Sequence, residues 1–112
     1  MESKIMETHP FMNDMHKNVP ILYYQTFEWS CKYPASKSKH SQLLIALLHV
    51  LEDLDAFSSK RISFDYCKIE LLLKTLDVVY IHKTLKTYVL PSDLLTYLAR
   101  IHHIRQILFQ FF

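Results

Sequence analysis

Not one of the 112 residues is glycine, and that absence constrains the chain more than anything else in it. Tight hairpin turns, phosphate-cradling loops and dinucleotide fingerprints all use a residue without a Cβ, because the backbone there adopts positive φ or approaches a ligand closely. Rossmann, P-loop and kinase architectures lose their main support, and hairpin-rich β folds lose their preferred turn residues. Helices joined by short polar loops have no such need. With half of the residues apolar and 21% charged, the chain can bury a core. At this length it forms one domain. The expectation is an all-α, compact bundle of four to five helices.

Punctuation along the sequence divides those helices. Met1 to Asn18 is polar and Met-rich without a sustained period, and reads as a flexible lead-in to a single bundle domain over 19–112. Pro20 suits a helix start, where its missing N–H costs nothing. Ile21, Tyr24, Phe27 or Glu28, and Cys31 then recur at helical spacing up to Tyr33–Pro34. After a polar loop over 35–40, Ser41 can cap a second helix with Leu44, Leu47, Leu48, Leu51 and Leu54 on one face. Ser63 can cap a third helix to about Lys74, and Asp77 favours a fourth to about Tyr88. Leu90–Pro91–Ser92 is the clearest break, and a fifth helix follows. Its stripe of Leu94, Leu98, Ile101 and Leu108, flanked by Leu95, Ile104, Ile107 and Phe111, is wide enough for burial on two sides. Ile104, Leu108 and Phe111 are thus a possible dimer or partner surface. The apolar end Leu108–Phe112 either folds back on the bundle or joins such an interface, unless the chain is cut short there.

Little in the sequence supports chemistry. Net charge is +2 with the basic residues scattered, which argues against direct nucleic-acid binding. Cys31 and Cys67 match no zinc spacing and fit a reducing compartment. The N-terminal residues, acidic and polar before any apolar run, do not look like a signal peptide, and no run of about 18 apolar residues is present to span a membrane, so the expectation is of a soluble, intracellular protein. His102 and His103 are adjacent, and so point about 100° apart on a helix instead of converging on a metal. Cys67, among Tyr66, Ile69 and Leu71, reads as a buried inert thiol. Glu52, Asp53 and Asp55 read as a solvated helix face. No catalytic residue, metal, cofactor or small-molecule substrate is expected. Tyr88-Val89-Leu90-Pro91 stands out, since a loop this apolar either anchors the core or forms the rim of a partner pocket.

Three segments carry a family resemblance. They are Leu47-Leu48-His49-Val50-Leu51-Glu52-Asp53-Leu54-Asp55-Ala56-Phe57, then Ile62-Ser63, then Asp77-Val78-Val79 followed by Lys83, Lys86, Tyr88, Asp93 and Ala99. In that order they resemble the integrase-binding domain of lens-epithelium-derived growth factor and the hepatoma-derived-growth-factor-related proteins, a helical bundle like the N-terminal domain of elongation factor TFIIS. The similarity runs over roughly 38–108. It departs in several additional residues between Ile62 and Asp77, and in Thr87 where the family prefers arginine. The resemblance implies a non-enzymatic nuclear adaptor for transcription and chromatin proteins. Two interhelical loops would bind short motifs of disordered partners or a retroviral integrase. By match, Tyr88 and Leu90 would supply the aromatic and aliphatic rim, while Lys39 and His40 stand where the family has isoleucine and a backbone-binding aspartate. Lysine has no acceptor and neutral histidine has one, so fold carries over more directly than ligand. Lys37, Lys39 and His40 would form a basic rim steering acidic flanks.

Two other readings share the helix richness and the absence of catalytic motifs. One is a small viral Bcl-2-like protein that binds an amphipathic helix in a groove. The other is a homodimeric structural protein built on the fifth helix.

Overall fold

A computed structural model describes residues 10–33 and 38–110, and over them the protein is an all-helical bundle with no strand. The five helices among the described residues are α1 (Pro10–Lys32), α2 (Lys39–Ser58), α3 (Tyr66–Thr75), α4 (Val78–Leu85) and α5 (Pro91–Phe109). The most extensive packing joins α1 to α2; α5 closes over α1, α4 and α3, and α2 also meets α3 and α4. Among the described residues no helix is long and apolar enough to cross a membrane.

The first helix differs most from its sequence-based outline. It begins at Pro10, so the second half of the expected lead-in is helical, with Met15 and Val19 fully buried. Residues 1–9 lie outside the described residues. Pro20 therefore sits inside a helix instead of opening one. It removes the donor that would satisfy the His16 carbonyl, a loss worth about 3 kcal/mol in a helix interior. His16 and Pro20 are both exposed, on the side of the helix that faces solvent. The expected stripe also lies on the opposite side. Met15, Val19, Leu22 and Thr26 face the core, whereas Ile21, Tyr24, Phe27 and Cys31 face solvent.

Elsewhere the sequence signals fall close to the observed boundaries. On α2, Leu44, Leu47, Leu51 and Leu54 are buried, as their spacing requires, while Leu48 is half-buried and the N-cap is Ser38, not the expected Ser41. Asp77 caps α4, its carboxylate accepting from the Val79 and Tyr80 amides. The α3 cap is Asp65, accepting from the Lys68 amide at 2.8 Å, and not Ser63 two residues earlier. Cys67, one position into α3, points outward, so it is no buried thiol. α4 stops at Leu85, whose carbonyl accepts from both the Tyr88 and Val89 amides. Pro91 occupies the first turn of α5, where a proline is well placed.

On α5 most of the broad stripe is consumed by the bundle itself, but Leu95 is exposed to solvent. Leu94, Tyr97, Leu98, Ile101, Ile104, Ile107 and Leu108 are all buried. Ile104 and Leu108, each fully inaccessible, are core residues and no dimer surface, because α1, α3 and α4 together cover what one neighbour would leave open. Phe111 lies outside the described residues. The Tyr97 hydroxyl meets Thr26 Oγ1 at 2.7 Å inside the core, and Thr26 Oγ1 donates to the Leu22 carbonyl. Burial holds the Tyr97 phenol well above its ordinary pKa, with the Thr26 contact opposing the shift.

The absence of glycine has a local consequence where α2 ends. The Lys60 amide donates to the Phe57 carbonyl and the Arg61 amide to the Ala56 carbonyl, the paired bonds of a Schellman termination. The position that such a turn normally gives to glycine is Lys60, at φ 61°. A side chain there costs roughly 1 kcal/mol. Lys60→Gly should raise stability by about that amount, read as a higher urea midpoint at unchanged m-value.

Tyr97→Phe should lower unfolding free energy by about 1 kcal/mol at neutral pH. The raised folded-state pKa adds a sign. Its contribution is complete below the unfolded tyrosine pKa of about 10 and declines as pH rises beyond it, because only the unfolded phenol ionises readily. Denaturation of both forms between neutral pH and pH about 11 checks this: the gap between wild type and Tyr97→Phe should narrow as alkalinity rises.

Candidate functional site

Tyr97 also supports, through Trp29, a concavity at the end of α1. Its ring packs against Trp29 with centroids 4.6 Å apart, and this fixes the last turns of α1. Trp29 and Lys32 of α1, with Tyr33 just past its end, then face Lys86, Thr87, Tyr88, Val89, Leu90, Pro91 and Asp93 across a cleft of about 350 Å³. Val89 is buried beneath the loop and ties it down, leaving Tyr88 41% and Leu90 67% exposed on either side. The loop backbone explains the alternation: two amides share one Leu85 carbonyl and Pro91 restarts a helix, so neighbouring side chains diverge.

Three rings brace one wall. His40 stacks on Tyr88 with centroids 3.8 Å apart and planes 18° from parallel. Tyr33 meets both edge-on, at 5.6 Å from His40 and 5.8 Å from Tyr88, and its hydroxyl donates to the Tyr88 carbonyl. His40 Nδ1 lies 3.0 Å from Ser38 Oγ. His40 Nε2 is buried without a hydrogen-bond partner. The ring that stands where the resemblance implies a carboxylate therefore supports Tyr88 from behind.

The sequence-derived positions separate accordingly. Tyr88 and Leu90 share the cleft, and His40 joins Tyr88 through the stack. Lys39 is elsewhere, with Gln42, Leu43, Ala46, Lys74, Thr75 and Tyr80 around a different, shallower surface. Successive helical residues point about 100° apart, so Lys39 and His40 cannot share a wall once both lie in α2. Lys37 lies outside the described residues. The expected basic rim of Lys37, Lys39 and His40 is replaced at the cleft by Lys32 and Lys86, both exposed. Trp29, Lys32 and Tyr33 were not singled out by the sequence, although two aromatics and a lysine crowding the end of one helix before Pro34 form a readable signal.

Other polar groups are dispersed. His103 Nε2 lies 3.3 Å from Asp14 Oδ2 at the junction of α5 and α1, and His102 is exposed beside it. No group of three or more His, Cys, Asp or Glu among the described residues is placed to hold a metal ion. Comparisons with protein-family profiles, curated proteins and solved structures return no match to this chain.

The stack makes a direct prediction. His40→Phe keeps a ring on Tyr88 and removes the unpartnered buried nitrogen, so it should be at least as stable as wild type. His40→Ala leaves a void and should lose about 2 kcal/mol in urea denaturation.

Proposed function

We propose that this protein is a non-enzymatic adaptor whose cleft, between the end of α1 and the α4–α5 loop, takes short motifs from disordered partners. The observation that carries the reading is the loop itself, which exposes Tyr88 and Leu90 over a buried Val89 and a braced aromatic wall. An unbraced loop would fold such side chains inward. A braced one offers rigid anchors that a ligand need not order, and rigid aromatic anchors dominate small interfaces. The motif best suited carries an aromatic or large aliphatic residue to seat among Trp29, Tyr33, Tyr88 and Leu90. Acidic flanks would be steered by Lys32 and Lys86.

The nuclear, chromatin-associated setting belongs to the same proposal and rests on the resemblance of segments 47–57 and 77–99 to the integrase-binding domain. Retroviral integrase is a poor choice of ligand here, because His40 presents a stacked ring in place of a carboxylate that accepts backbone N–H bonds.

Selection from a displayed library of peptides taken from disordered nuclear proteins tests the reading. Enriched peptides should share an apolar anchor with nearby Asp or Glu. Tyr88→Ala with Leu90→Ala should weaken them by about 2 kcal/mol or more, roughly 30-fold in Kd, while Lys39→Glu leaves them unchanged. Peptides that bind the double variant as well as wild type would place recognition elsewhere.

A further inference from the structure

The outer face of α1 is an apolar surface that neither the core nor the cleft uses. Lys17, Pro20, Ile21, Tyr24, Phe27, Glu28 and Cys31 all lie on it and are all exposed. Ile21 is 45%, Tyr24 65% and Phe27 50% accessible. The helix beneath is held on three sides. Thr26 bonds Tyr97, Gln25 Oε1 accepts from Arg100 at 3.2 Å, and the Tyr23 hydroxyl donates to Glu52 at 3.2 Å. From Pro20 onward, where Ile21, Tyr24 and Phe27 lie, the face is therefore pre-ordered for a partner.

We infer that this face pairs with the same face of a second copy of the chain, α1 against α1, antiparallel about a two-fold axis. Charge selects both the occupant and the direction. Lys17 stands toward the start of the face and Glu28 toward its end, and neither makes an ion pair among the described residues. The midpoint between Lys17 and Glu28 along the sequence falls between Leu22 and Tyr23. The midpoint between Ile21 and Tyr24 falls at the same place. One two-fold axis there sets Lys17 opposite the second copy's Glu28 and Ile21 opposite its Tyr24, each contact made twice, as an isologous interface requires. A parallel pairing would instead oppose lysine to lysine and glutamate to glutamate.

The area agrees with a weak association. Aromatic side chains carry 150–250 Å² each, so the three apolar residues offer roughly 400 Å² per copy. With the flanking residues the total is on the order of 1,000 Å², below the roughly 1,200–2,000 Å² of stable interfaces and in the range of transient ones. Phe27 extends the patch past Ile21, and Lys32 turns away from it to line the cleft. The pairing therefore leaves the proposed motif site open and stands independently of that function.

Sedimentation equilibrium on the full chain, in reducing buffer, tests the pairing. The mass should rise from 13.4 kDa toward twice that value as concentration passes through the micromolar range. Tyr24→Glu with Phe27→Glu should hold it at the single-chain mass, with the circular dichroism of wild type. Lys17→Glu and Glu28→Lys should each weaken association about ten-fold, and the two together should restore it. A single-chain mass up to several hundred micromolar would overturn the inference. So would a dimer indifferent to Tyr24 and Phe27, or a charge exchange that fails to restore pairing; either would assign the face to some other partner.

Discussion

The bond between Thr26 and the Tyr97 hydroxyl is the contact on which the rest of the molecule's arrangement depends. It joins residues 71 positions apart in sequence and the first long helix to the last, inside a core built, apart from Phe57, of non-aromatic apolar side chains. A buried hydroxyl without a partner would cost more than the bond gains, so the two residues fix each other's depth and rotation. Trp29, one turn further along α1, packs on the same tyrosine ring and becomes the floor of the cleft. One polar contact thus sets which side of α1 is core, which is cleft wall and which is left to solvent.

That assignment gives α1 an unusual load for a helix of 23 residues. Its inner side supplies Met15, Val19 and Leu22 to the core, its end supplies Trp29 and Tyr33 to the aromatic wall, and its outer side carries Ile21, Tyr24 and Phe27. The second wall of the cleft comes from a loop that is short, double-bonded to Leu85 and closed by Pro91. His40 then couples the start of α2 to that loop through a ring stack. Rigidity at the site comes from three separate elements meeting, not from any one of them.

Much of the bundle was legible in the sequence because its signals were local. Asp77 and Pro91 announce helix starts by their own hydrogen-bonding limits, and the leucines of α2 repeat at the period of one face. What was not legible depends on contacts across the fold. In α1 both faces are apolar, so periodicity could not tell which is inside; Thr26, the residue that decides it, looks like an ordinary polar position until its partner Tyr97 is known. Pro20 looks like a helix start because proline is most often tolerated there, yet a solvent-facing proline is compatible with a helix that began ten residues earlier. At the site, Tyr88 and Leu90 were visible as an apolar loop. The part played by His40 was not, because a stack on Tyr88 joins residues 48 positions apart and no spacing rule reports it. Lys39 was grouped with His40 only because the cap of α2 was placed at Ser41, three residues after the observed Ser38.

Pro20 also has a consequence for how the molecule opens. The helical ladder has a missing rung at His16, so the turns before the proline are bound to those after it by one hydrogen bond fewer than any other stretch of the helix. The first segment holds to the bundle through Met15, Val19 and the exposed pair of Asp14 with His103. The second holds through Leu22, Thr26 and Trp29, with Tyr97 at its centre. These are two anchorages of unequal strength on one continuous rod. Backbone amides ahead of Pro20 therefore exchange their hydrogens through partial openings that leave the core intact, while those around Leu22 and Thr26 exchange only when the whole bundle comes apart.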